Sequence, residues 1–169
     1  GITGRKIGVV GLGAIGLKIA NRLAAFEAEI GYHNRSKKDV SYPYFETVLD
    51  LAKWADTLVL AHRADETNRH MVNAEVLEAL GPTGHVVNIS RGSAIDEDAL
   101  IAALKNGTIA GAGLDVFENE PNPRADLRSL PNLVATPHIG GGTSEAIIAM
   151  GDAVIANLDA FFSGKPVPN

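Results

Sequence analysis

The sequence predicts an α/β fold of the doubly wound type, a parallel sheet with helices on both faces, as a single domain over residues 1–169. Short apolar runs alternate with segments of helical periodicity, the pattern of strands joined by crossover helices. A glycine-rich turn, Gly11-Leu12-Gly13-Ala14-Ile15-Gly16, links the first run to the first helical segment. Glycine, proline and asparagine punctuate several of the boundaries between segments.

Ile7 to Val10 reads as a strand and Ala14 to Phe26 as a helix, with a second strand over 29–33. A short helix is expected over 47–53, followed by a strand at Thr57-Leu58-Val59-Leu60. Asn73 is placed to cap a helix that runs through Leu80 and ends at Gly81-Pro82. The next strand covers 85–89. Asp96 then opens a helix with acids in its first turn and Lys105 in its last, which suits the helix dipole, and Asn106-Gly107 stops it. Strands follow at 111–116 and 133–135, separated by a surface loop over 120–131. A final helix from Ser144 to Phe162 carries Ile147, Val154, Leu158 and Phe161 at helical spacing, and Gly164-Lys165-Pro166 closes it. Trp54 and the Phe161-Phe162 pair are expected in the core.

Composition narrows the function classes. A chain of 169 residues, 46% hydrophobic, is long enough for a sizeable core. Its net charge of -5 argues against a general nucleic-acid partner, which would carry a basic surplus. With no cysteine there is neither a disulfide framework nor a thiolate metal site, and no residue spacing suggests other metal ligands. No apolar run approaches the ~18 residues of a membrane span, and the first residues do not read as a secretory signal. A cytoplasmic protein is expected. The sequons Asn88-Ile89-Ser90 and Asn106-Gly107-Thr108 read as chance matches.

The glycine turn sits between a strand and a helix, the setting that a dinucleotide-binding fingerprint requires. Gly11 permits the tight turn, Gly13 lets the backbone approach a pyrophosphate, and Gly16 allows the helix to pack closely on the strand. The first amides of the helix, around Ala14 and Ile15, favour an anion. These features make the fold Rossmann-type. About 20 residues further on, an NAD site places an acid against the ribose 2′-hydroxyl. Asn34 stands there instead, followed by Arg35, Ser36, Lys37 and Lys38. An amide does not repel a 2′-phosphate; Arg35 can pair with one, Ser36 can hydrogen-bond it, and Lys37 adds charge. NADP(H) is therefore the preferred cofactor, with NAD(H) also possible.

Three later segments complete the pattern: Asn88-Ile89-Ser90-Arg91-Gly92, Gly113-Leu114-Asp115-Val116-Phe117-Glu118-Asn119-Glu120-Pro121, and Thr136-Pro137-His138-Ile139-Gly140-Gly141. With the fingerprint, the chain resembles the D-2-hydroxyacid dehydrogenase family, in particular its glyoxylate/hydroxypyruvate and hydroxyphenylpyruvate reductase branch. The resemblance implies strand order 3-2-1-4-5-6. It implies hydride transfer between a nicotinamide and a small 2-oxo or 2-hydroxy acid. It makes Arg91, Glu120 and His138 catalytic: Arg91 binds and polarises the 2-oxo acid, His138 is the general acid in reduction, and Glu120 stabilises its protonated form. Asp115 would hold the nicotinamide carboxamide. The residue types suit these parts, since a planar cation fits a carboxylate beside a carbonyl and an imidazole with a carboxylate partner delivers a proton.

The sequence departs from the family in two places. The loop after the third strand usually contains proline, but here reads Ala61-His62-Arg63-Ala64-Asp65-Glu66-Thr67, leaving the part of Arg63 open. His33 is placed near an adenosine pocket, whereas His62, His70 and His85 read as surface or strand-end residues. The chain also begins almost at the first cofactor strand, so most of a substrate domain, and a helix that helps form a homodimer, are expected to be missing from it. Two other readings stay open: a non-catalytic dinucleotide-binding module, or a different Rossmann enzyme such as a methyltransferase.

Overall fold

The computed structural model describes residues 1–168. The chain divides into two compact units, Gly1–Pro137 and a second beginning at His138. The first unit holds β1 (Lys6–Val10), α1 (Ala14–Ala24), β2 (Glu29–His33), β3 (Tyr44–Phe45), α2 (Val48–Trp54), β4 (Thr57–Leu60), α3 (Ala74–Leu80), β5 (His85–Asn88), α4 (Glu97–Asn106), β6 (Gly111–Leu114), α5 (Ala125–Arg128) and β7 (Leu133–Ala135). The strands form one parallel sheet in the order β3-β2-β1-β4-β5-β6-β7.

This topology corrects one expectation. The order 3-2-1-4-5-6 holds only when Tyr44–Phe45 is counted as the third strand. The run Thr57–Leu60, third by sequence, pairs with β1 on the side away from β2. A two-residue edge strand has no periodicity to detect. It exists because Tyr32 and His33 of β2 pair with Tyr44 and Phe45, and because the Tyr32 and Tyr44 rings pack at 5.4 Å. α5, a single turn inside the predicted loop over 120–131, escapes for the same reason: only Leu127 in it is buried.

Alternation along the strands divides the core in two. Ile7 and Val9 of β1, Ile30 and Tyr32 of β2 and Val59 of β4 face α1, where Ala20 is fully buried. Val10, Leu58, Leu60 and Val86 face the opposite way, onto Val48 and Leu51 of α2, Val76 and Leu77 of α3, and Leu100, Ile101 and Leu104 of α4. Caps set the helix starts: the Thr47 hydroxyl accepts from Asp50 N at 3.0 Å, the Asn73 side chain from Val76 N at 3.1 Å, and Asp96 from Asp98 N and Ala99 N. Gly107, at φ +70°, ends α4 in the left-handed conformation. Trp54 packs against Phe45 at the rim of this core.

The second unit contains α6 (Ser144–Phe162), with Thr143 Oγ1 accepting from Ala146 N at 3.1 Å. Phe161 and Phe162 do not lie in a core as expected. They are 69% and 81% exposed, and their rings meet edge-on. Among the described residues no helix is long and apolar enough to cross a membrane.

Candidate active site

A cleft opens over the carboxyl ends of β1, β2, β4 and β5, where open parallel sheets place ligands. Two adjoining cavities form it, of about 310 and 460 Å³, sharing Gly13, Ala61, His62 and Arg63.

The glycine turn lies between them, and each glycine answers a different constraint. Gly11 has φ +93°, and a Cβ there would stand 2.4 Å from the backbone of His62, so the turn and the β4 exit loop can run side by side only with glycine. A Cβ on Gly16 would fall 1.9 Å from the Gly11 carbonyl oxygen; its absence lets α1 press against the turn. Gly13 meets nothing within 4 Å and faces the open cleft. It is also the N-cap of α1 and supplies no side chain to the first amides, which stay available to an anion. Ala14 and the exposed Ile15 follow it into the larger cavity. These residues fit the pyrophosphate of a dinucleotide.

The smaller cavity lies at the end of β2. Asn34, Arg35 and Ser36 line it together with His33, as does Lys38, whereas Lys37 does not. Tyr32, which the sequence reading missed, holds the far end of this loop. Its fully buried hydroxyl accepts from Lys38 N at 2.8 Å and donates to Lys38 O at 3.2 Å. Asn34 Nδ2 closes the turn on Ser36 O at 3.0 Å, so this amide shapes the loop as well as replacing a carboxylate. A buried tyrosine whose hydroxyl needs a partner was the available signal.

From the β4 side, His62 and Arg63 line both cavities. Of the two expected places, surface or strand end, His62 takes the strand end, half-buried just beyond β4. Both of its ring nitrogens are shut off from solvent and lack a hydrogen-bond partner among the described residues. Burial, followed by repulsion from His33, pushes its pKa down. Gly11, too small to hold the loop away, lets it settle in this position. His70 is not an idle residue either: its Nε2 lies 2.6 Å from Glu118 Oε1, which also takes Arg69 Nη2 at 2.9 Å.

The larger cavity ends at Ser90 and Arg91. The bend after β5 is built on Asn88, 1% exposed. Its Oδ1 accepts from Ser90 N at 2.9 Å and Ser90 Oγ at 3.0 Å, and its Nδ2 donates to Arg91 O at 2.9 Å. Arg91 Nη1 donates to Ser90 O at 2.6 Å. Gly92 then lies directly on the loop that bears Glu120: a Cβ there would be 1.9 Å from the Phe117 carbonyl carbon. Glu97 Oε1 accepts from Glu118 N at 2.8 Å, tying the same two segments together. Burial pushes the Glu97 carboxyl above the ordinary carboxylate range. Glu120 Oε1 accepts from Phe117 N at 2.9 Å, and the Thr136 hydroxyl donates to Asp115 Oδ1. Arg91, Glu120 and Asp115 therefore stand on exit loops of one sheet edge. His138 belongs to the second unit, where it is exposed, with φ +55°.

Residues 1–140 match the family model of the D-isomer specific 2-hydroxyacid dehydrogenase, NAD binding domain. The chain belongs to this family. It is 46% identical over 166 residues to hydroxyphenylpyruvate reductase of Plectranthus scutellarioides, covering 98% of this chain and 53% of that protein. A glyoxylate/hydroxypyruvate reductase A of Arabidopsis thaliana is 48% identical over 164 residues, 96% of this chain and 52% of the relative. The crystal structure of an NADPH-dependent glyoxylate/hydroxypyruvate reductase from Sinorhizobium meliloti, in complex with NADP and malonate, superposes with a TM-score of 0.91 at 48% identity. It is matched over 95% of this chain and 50% of its own. This family domain thus spans about half the length of the relatives it matches.

Proposed function

We propose that this chain is the cofactor-binding half of an NADPH-dependent reductase of small 2-oxo acids such as glyoxylate or hydroxypyruvate. The observation that carries the reading is the continuous cleft with its two different ends. At one end Asn34, Arg35, Ser36 and Lys38 replace the carboxylate of an NAD site with a cationic, hydrogen-bonding loop. At the other, Arg91 stands on a rigid bend. The S. meliloti relative, described as NADPH-dependent, agrees with the first end.

Bound reduced nicotinamide supplies the hydride that reduces the carbonyl carbon. Arg91 pairs with the substrate carboxylate and draws electron density from the carbonyl oxygen. His138 delivers the proton that this oxygen takes up, and Glu120 favours the imidazolium form. Asp115, with Thr136 fixing its carboxylate, orients the carboxamide. The support for His138 and Glu120 is their place in the motifs Thr136-Pro137-His138-Ile139-Gly140-Gly141 and Phe117-Glu118-Asn119-Glu120-Pro121. The greater length of the relatives supplies, on this reading, a substrate domain that closes the cleft and expels water.

Titration of the chain with NADPH and NADH, followed by nicotinamide fluorescence, tests the cofactor half of the proposal. Tighter binding of NADPH is expected; equal binding or a preference for NADH overturns it. The catalytic half is tested in the protein that joins this chain to a substrate domain. There His138→Ala should lower turnover by ~10²–10⁴ with the fold intact, and near-normal turnover would remove His138 from the proton-donor role.

A further inference from the structure

The β2 loop is only one wall of the smaller cavity. Across from Arg35, Ser36 and Lys38 stand His62 and Arg63 of the β4 exit loop. That loop is closed on itself. Asn68 Nδ2 donates to Arg63 O at 3.0 Å, Asp65 N donates to Asn68 Oδ1 at 2.9 Å, and Asp65 Oδ1 accepts from Thr67 N at 2.9 Å. Three hydrogen bonds within six residues thus hold the backbone that carries Arg63. Its guanidinium forms no ion pair among the described residues, and neither does that of Arg35.

From this arrangement we infer that Arg63 is the second arm of a two-sided clamp on the cofactor's 2′-phosphate, closing on it from the β4 side opposite Arg35. The inference rests on the proposed preference for NADP(H) and extends it to a residue on a different strand. Two observations support the convergence. Arg63 and Arg35 line the same cavity. Both guanidiniums also act on the Asp65 carboxylate: the hydroxyl and amide of Thr67 hold it below the ordinary carboxylate range, and Arg35 and Arg63 add to that. A phosphate dianion with three acceptor oxygens is a better partner for two guanidiniums than a carboxylate already committed to Thr67. Arg63 also borders the larger cavity, so the competing destination for its charge is the pyrophosphate, which NADPH and NADH have in common.

That difference makes the test. The chain, Arg63→Gln, Arg35→Gln and the double variant are titrated by calorimetry with four probes: NADPH, NADH, adenosine 2′,5′-bisphosphate and 5′-AMP. The clamp predicts that Arg63→Gln weakens NADPH and adenosine 2′,5′-bisphosphate about tenfold, the loss of one charged hydrogen bond. It predicts little change for NADH and 5′-AMP, whose binding also reports that the variant is folded. Equal losses for NADPH and NADH would assign Arg63 to the pyrophosphate and overturn the clamp, as would no loss at all. If the unaltered chain does not prefer NADPH, the proposed cofactor reading fails and takes this inference with it. If it does, and Arg63→Gln keeps the full preference, only the clamp fails.

Discussion

The two ends of the cleft hold their arginines in opposite ways. Arg91 is itself at the surface, but the bend beneath it rests on a buried asparagine whose donors and acceptors are used within residues 88–91. Gly92 presses this bend onto the Phe117–Glu118 backbone with no room for a methyl group. Arg35 stands on an exposed loop held at its two ends by tyrosine hydroxyls, Tyr44 donating to Asn34 O at 3.3 Å and Tyr32 bonded to the backbone of Lys38. On the proposed function, the difference separates two tasks. Polarising a carbonyl needs a cation fixed to within a fraction of an ångström, which a buried network provides. Recognising a phosphate needs charge and donors, which an exposed loop can offer without involving the core. Substitutions at the β5 end should therefore be felt in stability, and those at the β2 end in cofactor choice.

Gly92→Ala tests the rigid end most severely. Its Cβ has to displace backbone atoms, so a loss of about 3 kcal/mol in a denaturant titration is expected. A stable variant would mean that the two loops part easily. Arg35→Ala is the counterpart at the other end. It should lower NADPH affinity by ~1.5–3 kcal/mol while leaving the unfolding midpoint unchanged; unaltered NADPH binding would mean that the loop is merely solvated. Tyr32→Phe crosses the comparison, because it loosens the exposed loop from inside the core. It should cost about 1 kcal/mol of stability and narrow the gap between NADPH and NADH, measured on one preparation by urea titration and cofactor binding. A stability loss with the full preference retained would show that the loop needs no anchor at Lys38.

The smallest effect concerns Glu97, 3% exposed, beside the rigid bend. Burial raises its pKa, so the folded chain holds this proton more tightly than the unfolded chain does. Its contribution to stability is complete at acid pH and is lost as the pH rises through the raised value. Glu97→Gln keeps an acceptor for the Glu118 amide and removes the charge. A gain below about 1 kcal/mol at neutral pH, vanishing in acid, is expected from denaturation at several pH values. A loss at neutral pH would show that the ionised carboxylate stabilises the loop.

Much of this was legible before the structure. The glycine turn, the caps at Asn73 and Asp96 and the extent of α6 follow from local chemistry, which acts within a few residues. The segments bearing Asn34–Lys38, Arg91, Asp115 and Glu120 could be placed at one sheet edge because each follows a parallel strand. What was not legible has another origin. Tyr44–Phe45 becomes a strand only through its neighbour β2, Lys38 is held by the hydroxyl of the buried Tyr32, the place of His62 depends on the close approach of Gly11, and His70 pairs with the distant Glu118.

By itself, then, the sequence determined the alternation of strands and helices, the dinucleotide turn and the identity of the charged groups at the strand ends, because those depend on residue type, spacing and order. The tertiary structure decided which of these groups meet. Bringing Arg63 to the same cavity as Arg35 requires β4 to pair with β1 on the side away from β2, so that both exit loops border the one glycine turn. That pairing is fixed by the burial of Ile7, Val9, Val10, Leu58 and Leu60 on the two faces of the sheet. It joins segments some fifty residues apart (Ile7 with Thr57, for instance), whereas sequence periodicity reports only on near neighbours.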